Sequence, residues 1–273
     1  MDKIIAIQGA KGSNHHKVAI DFYGANVPLK ECMSFDVLVD SLLDNSAEFG
    51  IMALENTIAG SIIPNYALID NHNLHIIREE YLNIHHHLMA LKGQNINDIK
   101  EVWSHPMALL QCKTFFKKHP HIKLVEDVDT AEVAKRIANK KLQGIAAIAP
   151  KIAAEIFDLV IIEDEIQTIK DNSTRFVLVQ TTKPEVKADA NKASIKFQLS
   201  HKRGSLAAIL NAMSDCKMNL TKIQSLPVIQ TPWKYSFFVD VTFDEYANYQ
   251  KAISIIEIMA EEFKILGTYK NGR

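Results

Sequence analysis

From residue 1 to about 182 the chain repeats one pattern, a short apolar run followed by a polar turn and an amphipathic stretch. The runs Ile4 to Gln8, Gly50 to Leu54, His75 to Arg78, Val102 to Ser104, Lys123 to Val125, Ile145 to Ile148 and Phe176 to Gln180 have the length and composition of strands. Between them, Met107 to Lys118 follows Pro106, which favours a first helical turn, and Thr130 to Lys141 opens on Asp129 or Thr130 as a cap. That second helix puts Ala131, Ala134 and Ala138 on one face. Alternation of this kind predicts an α/β fold, whose open sheets gather ligand groups at strand ends.

The pattern changes after Gln180. Thr182 to Lys192 is polar, contains Pro184 and lacks an amphipathic period, so residues 183–192 are the expected linker between a domain at 1–182 and another at 193–273. Ser194 to Leu199 then reads as a strand, and Ser205 to Lys217 as a helix with Leu206, Ile209, Leu210 and Met213 at core spacing. Asn219 to Leu226 is a strand, and Tyr235 to Phe243 another, in which Tyr235, Phe237, Val239, Val241 and Phe243 alternate with polar residues. A helix at Tyr249 to Phe263 and a strand at Lys264 to Tyr269 complete a βαββαβ order, the ferredoxin-like arrangement.

Composition removes several classes of function. A chain of 273 residues, 47% hydrophobic, buries about two cores, and a formal charge of -1 gives no field for gripping a phosphate backbone. Nucleic acid is not an expected partner. No run of about 18 apolar residues spans a membrane, and Lys3 to Gln8 begins a strand where a signal peptide would stand. Single cysteines at 32, 112 and 216 suit reduced thiols, and a cytoplasmic location is expected.

Three segments far apart in the chain carry hydroxyl, amide and ionic groups beside apolar runs: Glu55, Asn56, Thr57 with Gly60 and Ser61; Ser104, His105, Pro106; and Asn172 to Phe176. An amide donor beside a carboxylate at a strand end suits orientation of a polar substrate, with helix capping by Thr57 or Ser61 as the alternative. Ser104 either caps the following helix or touches substrate. Arg175 has the fork geometry that clamps a carboxylate, or it pairs with Asp171. Gly9 to Ser13 after the first strand is either an anion-binding turn or a plain strand-to-helix turn, since Lys11 and Asn14 stand where a dinucleotide fingerprint needs glycine. Consecutive histidines at 85, 86 and 87 alternate faces in a strand and lack zinc-ligand spacing, so no metal is expected. Cys112 reads as a small buried side chain rather than a nucleophile.

The succession Glu55-Asn56-Thr57-x-x-Gly60-Ser61, Ser104-His105-Pro106-x-Ala108-x-x-Gln111-Cys112, Thr130-Ala131-Glu132-x-Ala134, Ala146-Ala147-Ile148-Ala149 and Thr174-Arg175-Phe176 resembles prephenate dehydratase through residues 3 to 180. The remainder resembles the ACT regulatory domain of that family. Gly204-Ser205-Leu206 opens its first helix, followed by Asn219-Leu220-Thr221-Lys222-Ile223, by Ser225 with Pro227, and by Trp233-x-Tyr235-x-Phe237-Phe238-Val239-Asp240. Two departures are visible. The family's Gly-Pro-x-Gly-Thr-Phe-Ser turn stands here as Gly9, Ala10, Lys11, Gly12, Ser13, Asn14, His15, and its Glu-Ser-Arg-Pro as Gln224, Ser225, Leu226, Pro227.

The resemblance implies decarboxylative dehydration of prephenate to phenylpyruvate in phenylalanine biosynthesis, in a cleft between two α/β lobes similar to periplasmic binding proteins, without cofactor or metal. By analogy Thr174 is the principal catalytic residue of this carbon–oxygen lyase, with Glu55, Asn56, Ser104 and Gln111. Glu55 is a rival acid if burial raises its pKa. Arg175, Thr57, Ser13, Gly12, Ser61 and Phe176 are the implied substrate contacts. The resemblance further implies inhibition by L-phenylalanine bound between the ACT domains of neighbouring subunits, lined by Gly204, Ser205, Leu206, Asn219, Leu220, Gln224, Ser225, Leu226 and Pro227, in a homodimer or dimer-based homotetramer. No fused chorismate mutase is expected ahead of the first strand. Arogenate dehydratase, and a sensor of amino acids or dicarboxylates that binds without turnover, are the alternatives.

Overall fold

A computed structural model describes residues 3–228, 231 and 234–273. Trp233 of the C-terminal motif lies outside the described residues. Two compact units are present, one of residues up to Gly60 with Tyr81–Phe176, the other of Ser61–Glu80 with Val177–Arg273.

The chain runs β1 (Ile5–Gln8), α1 (Asn14–Tyr23), β2 (Leu29–Cys32), α2 (Phe35–Leu43) and β3 (Phe49–Asn56), then β4 (Gly60–Ser61), α3 (Ile63–Asn71) and β5 (His75–Asn83). It continues through β6 (His87–Ala90), β7 (Glu101–Ser104), α4 (Pro106–Gln111), α5 (Lys113–Phe116), β8 (Lys123–Glu126), α6 (Thr130–Lys140), β9 (Ile145–Ala149), α7 (Lys151–Phe157), β10 (Val160–Glu163) and β11 (Ser173–Gln180). These strands form two sheets, ordered β2-β1-β3-β11-β5 and β10-β6-β9-β7-β8, which are the cores of two lobes. The chain passes between the units at β4 and within β5 and β11. In each lobe the central pairs are parallel, β1 with β2 and β3, and β7 with β8 and β9.

Local chemistry sets the helix starts. Ser13 caps α1 by accepting from His16 N, Ser34 caps α2 by accepting from Val37 N, and Asp129 caps α6 by accepting from Glu132 N. On α6, Ala131 and Ala134 are buried, and Ala138 packs partly buried against the same cluster. Met107 to Lys118 is not one helix. It breaks at Cys112 because Thr168 N takes the Gln111 carbonyl at 2.9 Å, replacing the helical donor. β11 begins at Ser173, so Thr174 and Arg175 are strand residues rather than the turn before it. Strands β2, β6 and β10 and helices α2, α3 and α7 are elements beyond those read from the sequence.

The second unit contains β12 (Lys192–Gln198), α8 (Ser205–Asp215), β13 (Asn219–Pro227), β14 (Tyr235–Thr242), α9 (Tyr246–Met259) and β15 (Glu262–Tyr269), the ferredoxin-like order on an antiparallel sheet β13-β14-β12-β15. Ile209, Met213, Val239 and Val241 form its core, with Leu206 and Leu210 packed against it. The other face of the sheet is buried too, although it carries Lys192, Ser194, Lys196, Ser236 and Asp240.

Ser61–Glu80 covers that polar face, and so belongs to the C-terminal unit rather than to a domain at 1–182. Lys192 binds both oxygens of Glu79 at 2.9 Å, Lys196 and Lys264 meet Asp70 at 2.7 and 3.0 Å, and Tyr66 lies edge-on to Phe238. Burial pulls the Lys196 ammonium down, but hydrogen bonds and charge from Asp70 and Glu262 outweigh it, and its pKa stands above the ordinary value. Gly267 permits the closest approach. A Cβ there would lie 2.1 Å from the Ile76 carbonyl oxygen, which no other residue tolerates.

Candidate active site

The end of β3 and the start of β11 lie side by side. Thr57 N donates to the Ser173 carbonyl and Ser173 N donates to Thr57 Oγ1, each at 2.9 Å, which brackets the two segments together. Next to this bracket Asn56 is buried. Its Oδ1 accepts from Ile58 N at 3.0 Å and Ala59 N at 2.9 Å, an Asx turn that fixes which end of the amide is oxygen. Its Nδ2 therefore points toward β11, donating to Thr174 Oγ1 at 2.9 Å and to Asn172 Oδ1 at 2.6 Å, with the Ser173 carbonyl at 3.3 Å. Thr174, with one lone pair occupied by Asn56, keeps its hydroxyl proton for another acceptor.

The same network reaches the second lobe. Asn172 Nδ2 donates to Gln111 Oε1 at 3.0 Å, and His86 Nε2 lies 2.7 Å from the same oxygen. Asn56, Thr174 and Gln111, more than fifty residues apart at the closest, are thus brought into one cluster. Asn172 and His86 belong to it as well. Asn172, which opens the third polar segment, stands two residues before Thr174, in phase with it on an extended chain. Arg175 is buried at 2% exposure and Glu55 is half-buried, each one residue from a member of the cluster. Phe176 is buried, and His15 meets it edge-on at 4.9 Å.

Other expected site residues make hydrogen bonds outside this cluster. Ser104 is fully buried and its hydroxyl donates to the Ile148 carbonyl at 2.8 Å, while His105, not Ser104, caps α4. The Ser13 hydroxyl oxygen accepts from His16 N in capping α1, and Gly12 N donates to His16 Nδ1 at 3.0 Å. Gly12 is glycine because its φ of 91° is left-handed and a Cβ would stand 3.0 Å from Ala153 Cα on α7. At the head of the same turn, a Cβ on Gly9 would meet Asp129 Oδ2 at 2.6 Å, and Ala10 N donates to that carboxylate. The anion in this turn is therefore the protein's own. Burial raises the Asp129 pKa, against its backbone hydrogen bonds. Ser61 accepts from Lys222 Nζ at 2.8 Å within the second unit.

Of the three histidines only His87 lies in a strand, His85 and His86 standing on the segment between β5 and β6. His85 pairs with Glu165, His87 with Asp164, and His86 turns to Gln111. Among the described residues no group of three His, Cys, Asp or Glu side chains is placed to hold a metal ion. All three cysteines are free and buried, and burial pushes the Cys112 thiol up to about 12, which removes it as a nucleophile. No helix among the described residues is long and apolar enough to cross a membrane.

In the C-terminal unit, Ser205 and Leu206 line a cavity of about 390 Å³ together with His201, Lys202, Tyr235 and Phe237. Gly204, at φ 86°, caps α8 beside it. The segment from Asn219 through Leu220 and Gln224, Ser225, Leu226 to Pro227 runs instead along β13, the edge strand of the sheet.

Comparison with known proteins matches residues 5–184 to the family described as prephenate dehydratase. The chain is 34% identical to an arogenate dehydratase/prephenate dehydratase of Arabidopsis thaliana, over 97% of this chain and 72% of the relative. It is 31% identical to the prephenate dehydratase of Methanocaldococcus jannaschii, over 98% of both chains. Among solved structures, a quorum quenching acylase superposes with a TM-score of 0.87 at 23% identity, covering 98% of each chain. The prephenate dehydratase of Arthrobacter aurescens in complex with L-Phe superposes at 0.85 with 24% identity, covering 98% of this chain and 90% of that one. At these identities the two superpositions establish the fold.

Proposed function

The chain belongs to the prephenate dehydratase family, and from that premise we propose how it works: it is a carbon–oxygen lyase that turns prephenate into phenylpyruvate, carbon dioxide and water, with Thr174 donating a hydrogen bond to the leaving oxygen. The bond to the departing carboxylate breaks and its electron pair enters the ring. The carbon–oxygen bond then releases its pair with the hydroxyl group, which is held by the Thr174 hydrogen bond, takes a proton from solvent and leaves as water. The ring becomes aromatic with no net oxidation, so side chains that orient a dianion and assist one leaving oxygen suffice.

The observation that carries this reading is the bond from Asn56 Nδ2 to Thr174 Oγ1. An alcohol is a weak acid, so Thr174 contributes through a hydrogen bond that strengthens as negative charge builds on the leaving oxygen. That requires its proton to face outward, and Asn56 enforces it. Arg175 is assigned to the carboxylate that remains. A tight ion pair on the carboxylate being expelled would favour the starting state, because its charge disperses toward the transition state.

The family spans both prephenate and arogenate dehydratases, and arogenate differs by an amine in place of the keto group. Incubation with each substrate, followed by ultraviolet detection of phenylpyruvate or assay of phenylalanine, tests the activity, and kcat/KM on the two ranks them. Turnover of prephenate is expected. A chain that binds either compound without turnover is the sensor, and the assignment fails.

For regulation, the C-terminal unit is read as an ACT domain that binds L-phenylalanine. What supports this is the cavity beside Gly204 to Leu206 and the free edge of β13, where Leu220 and Ile223 are exposed and suit pairing with a second copy in a homodimer. Loss of both charges of the family's Glu-Ser-Arg-Pro at Gln224 to Pro227 leaves shape and amide groups, rather than an ion pair, to hold the effector.

A further inference from the structure

The direction of every hydrogen bond in the cluster follows from its first member. Asn56 Oδ1 accepts two backbone N–H groups, so its Nδ2 must face Asn172 Oδ1. Asn172 is then fixed with Nδ2 toward Gln111, and Gln111 must present oxygen to it. An oxygen that already accepts at 3.0 Å can meet His86 Nε2 at 2.7 Å only if that nitrogen carries a proton. Thus two backbone amides at residues 58 and 59 dictate, through three side-chain amides, the tautomer of an imidazole in the other lobe. The His86 ring is buried, and its Nδ1 has no partner among the described residues.

Resting on the reaction assigned above, we propose that His86 is a positioning residue for it. Its Nε2–H, donated to Gln111 Oε1, locks the amide that holds Asn172 and Asn56 and so aims the Thr174 hydroxyl. The main chain of His86 is pinned on both sides, its N donating to Gln167 Oε1 at 3.0 Å and its carbonyl accepting from Ile166 N at 2.8 Å. The imidazole is therefore a fixed donor on the segment between β5 and β6. Without that donor, Gln111 keeps one hydrogen bond where it had two, and its amide is free to turn. Gln111 then ceases to select one orientation of Asn172. The cost falls on alignment in the transition state and not on substrate capture.

His86→Phe keeps a planar ring and removes the donor, whereas His86→Gln places an amide N–H at the reach of Nε2. The phenylalanine variant is expected to lose about tenfold to a hundredfold in kcat, with KM changed by less than about threefold. The glutamine variant is expected to recover most of that loss. Wild-type kcat in the folded phenylalanine variant, or a folded glutamine variant no faster than it, overturns the proposal. If the substitutions prevent folding, nitrogen NMR of the wild-type imidazole decides: the Nε2–H tautomer with a bare Nδ1 is expected, and the Nδ1–H tautomer overturns it. A wild-type enzyme inactive on both substrates would defeat the assigned reaction but leave the tautomer measurement readable, so the two failures are distinct.

Discussion

A threonine hydroxyl holds one proton and two lone pairs, and in Thr174 one lone pair is taken by Asn56 Nδ2. Two substitutions test what that arrangement does. Thr174→Ala removes the donor and is expected to lower kcat by about 10²-fold or more without unfolding the chain. Asn56→Asp keeps the oxygen that accepts from Ile58 and Ala59 but replaces the donor by a second acceptor, so Thr174 turns its proton inward. A loss in kcat as deep as that of Thr174→Ala is expected, and steady-state rates near wild type for either would remove the pair from the mechanism. Ser104→Ala serves as the contrast: kcat stays unchanged while stability falls by roughly 1 kcal/mol, the worth of one buried hydrogen bond to the Ile148 carbonyl. Spacing and resemblance made Asn56, Gln111 and Thr174 legible in the sequence. They gave no sign that Ser104 would be spent on a neighbouring strand, because that depends on which carbonyl β9 presents.

Elements with their own cap and period were the ones read most directly. α6 has Asp129 as cap and alanines on one face, and β7, β8 and β9 are short apolar runs. β2, with the sequence Leu-Lys-Glu-Cys, has no such signature and exists because β1 offers it an edge. α1 shows the cost of burying a base. His15 lies between Phe35 and Phe176, and burial lowers its pKa from an ordinary 6.5 to about 3. Across that interval the unfolded chain takes up a proton that the folded chain refuses, so the stability is whole above about 6.5 and is lost as pH falls toward 3. Burial lowers His16 and His86 as well, adding to the same slope. Urea unfolding of the wild type is expected to shift to lower midpoints between pH 7.5 and 5, and His15→Leu to flatten that dependence in part. An equal slope in both proteins would remove His15 as a contributor.

At the scale of the molecule, the C-terminal βαββαβ order was readable because its strands alternate and its helices keep period, yet the alternation did not tell what lies against the polar face. Lys192, Ser194 and Asp240 are nonetheless buried, because Ser61–Glu80 lies over them with matching acids. Nothing local in either segment announces a partner more than a hundred residues away. Lys192→Met leaves the buried Glu79 carboxylate without its ammonium and is expected to cost roughly 3 to 5 kcal/mol in denaturant unfolding, most of it recovered when Glu79→Leu is added. A cost within error of zero for the single variant would show the pair to be dispensable.

The interleaving of Ser61–Glu80 has a consequence for how such a chain can be cut or inherited. The stretch leaves the first unit four residues after Thr57, crosses the lysine-bearing sheet and returns at Tyr81. A gene shortened after the linker would therefore still encode that excursion, now with its glutamate and aspartate facing nothing. The C-terminal part is no cassette to be swapped at one seam; whatever replaced it would have to supply a cradle for a stretch encoded between two segments of the first unit.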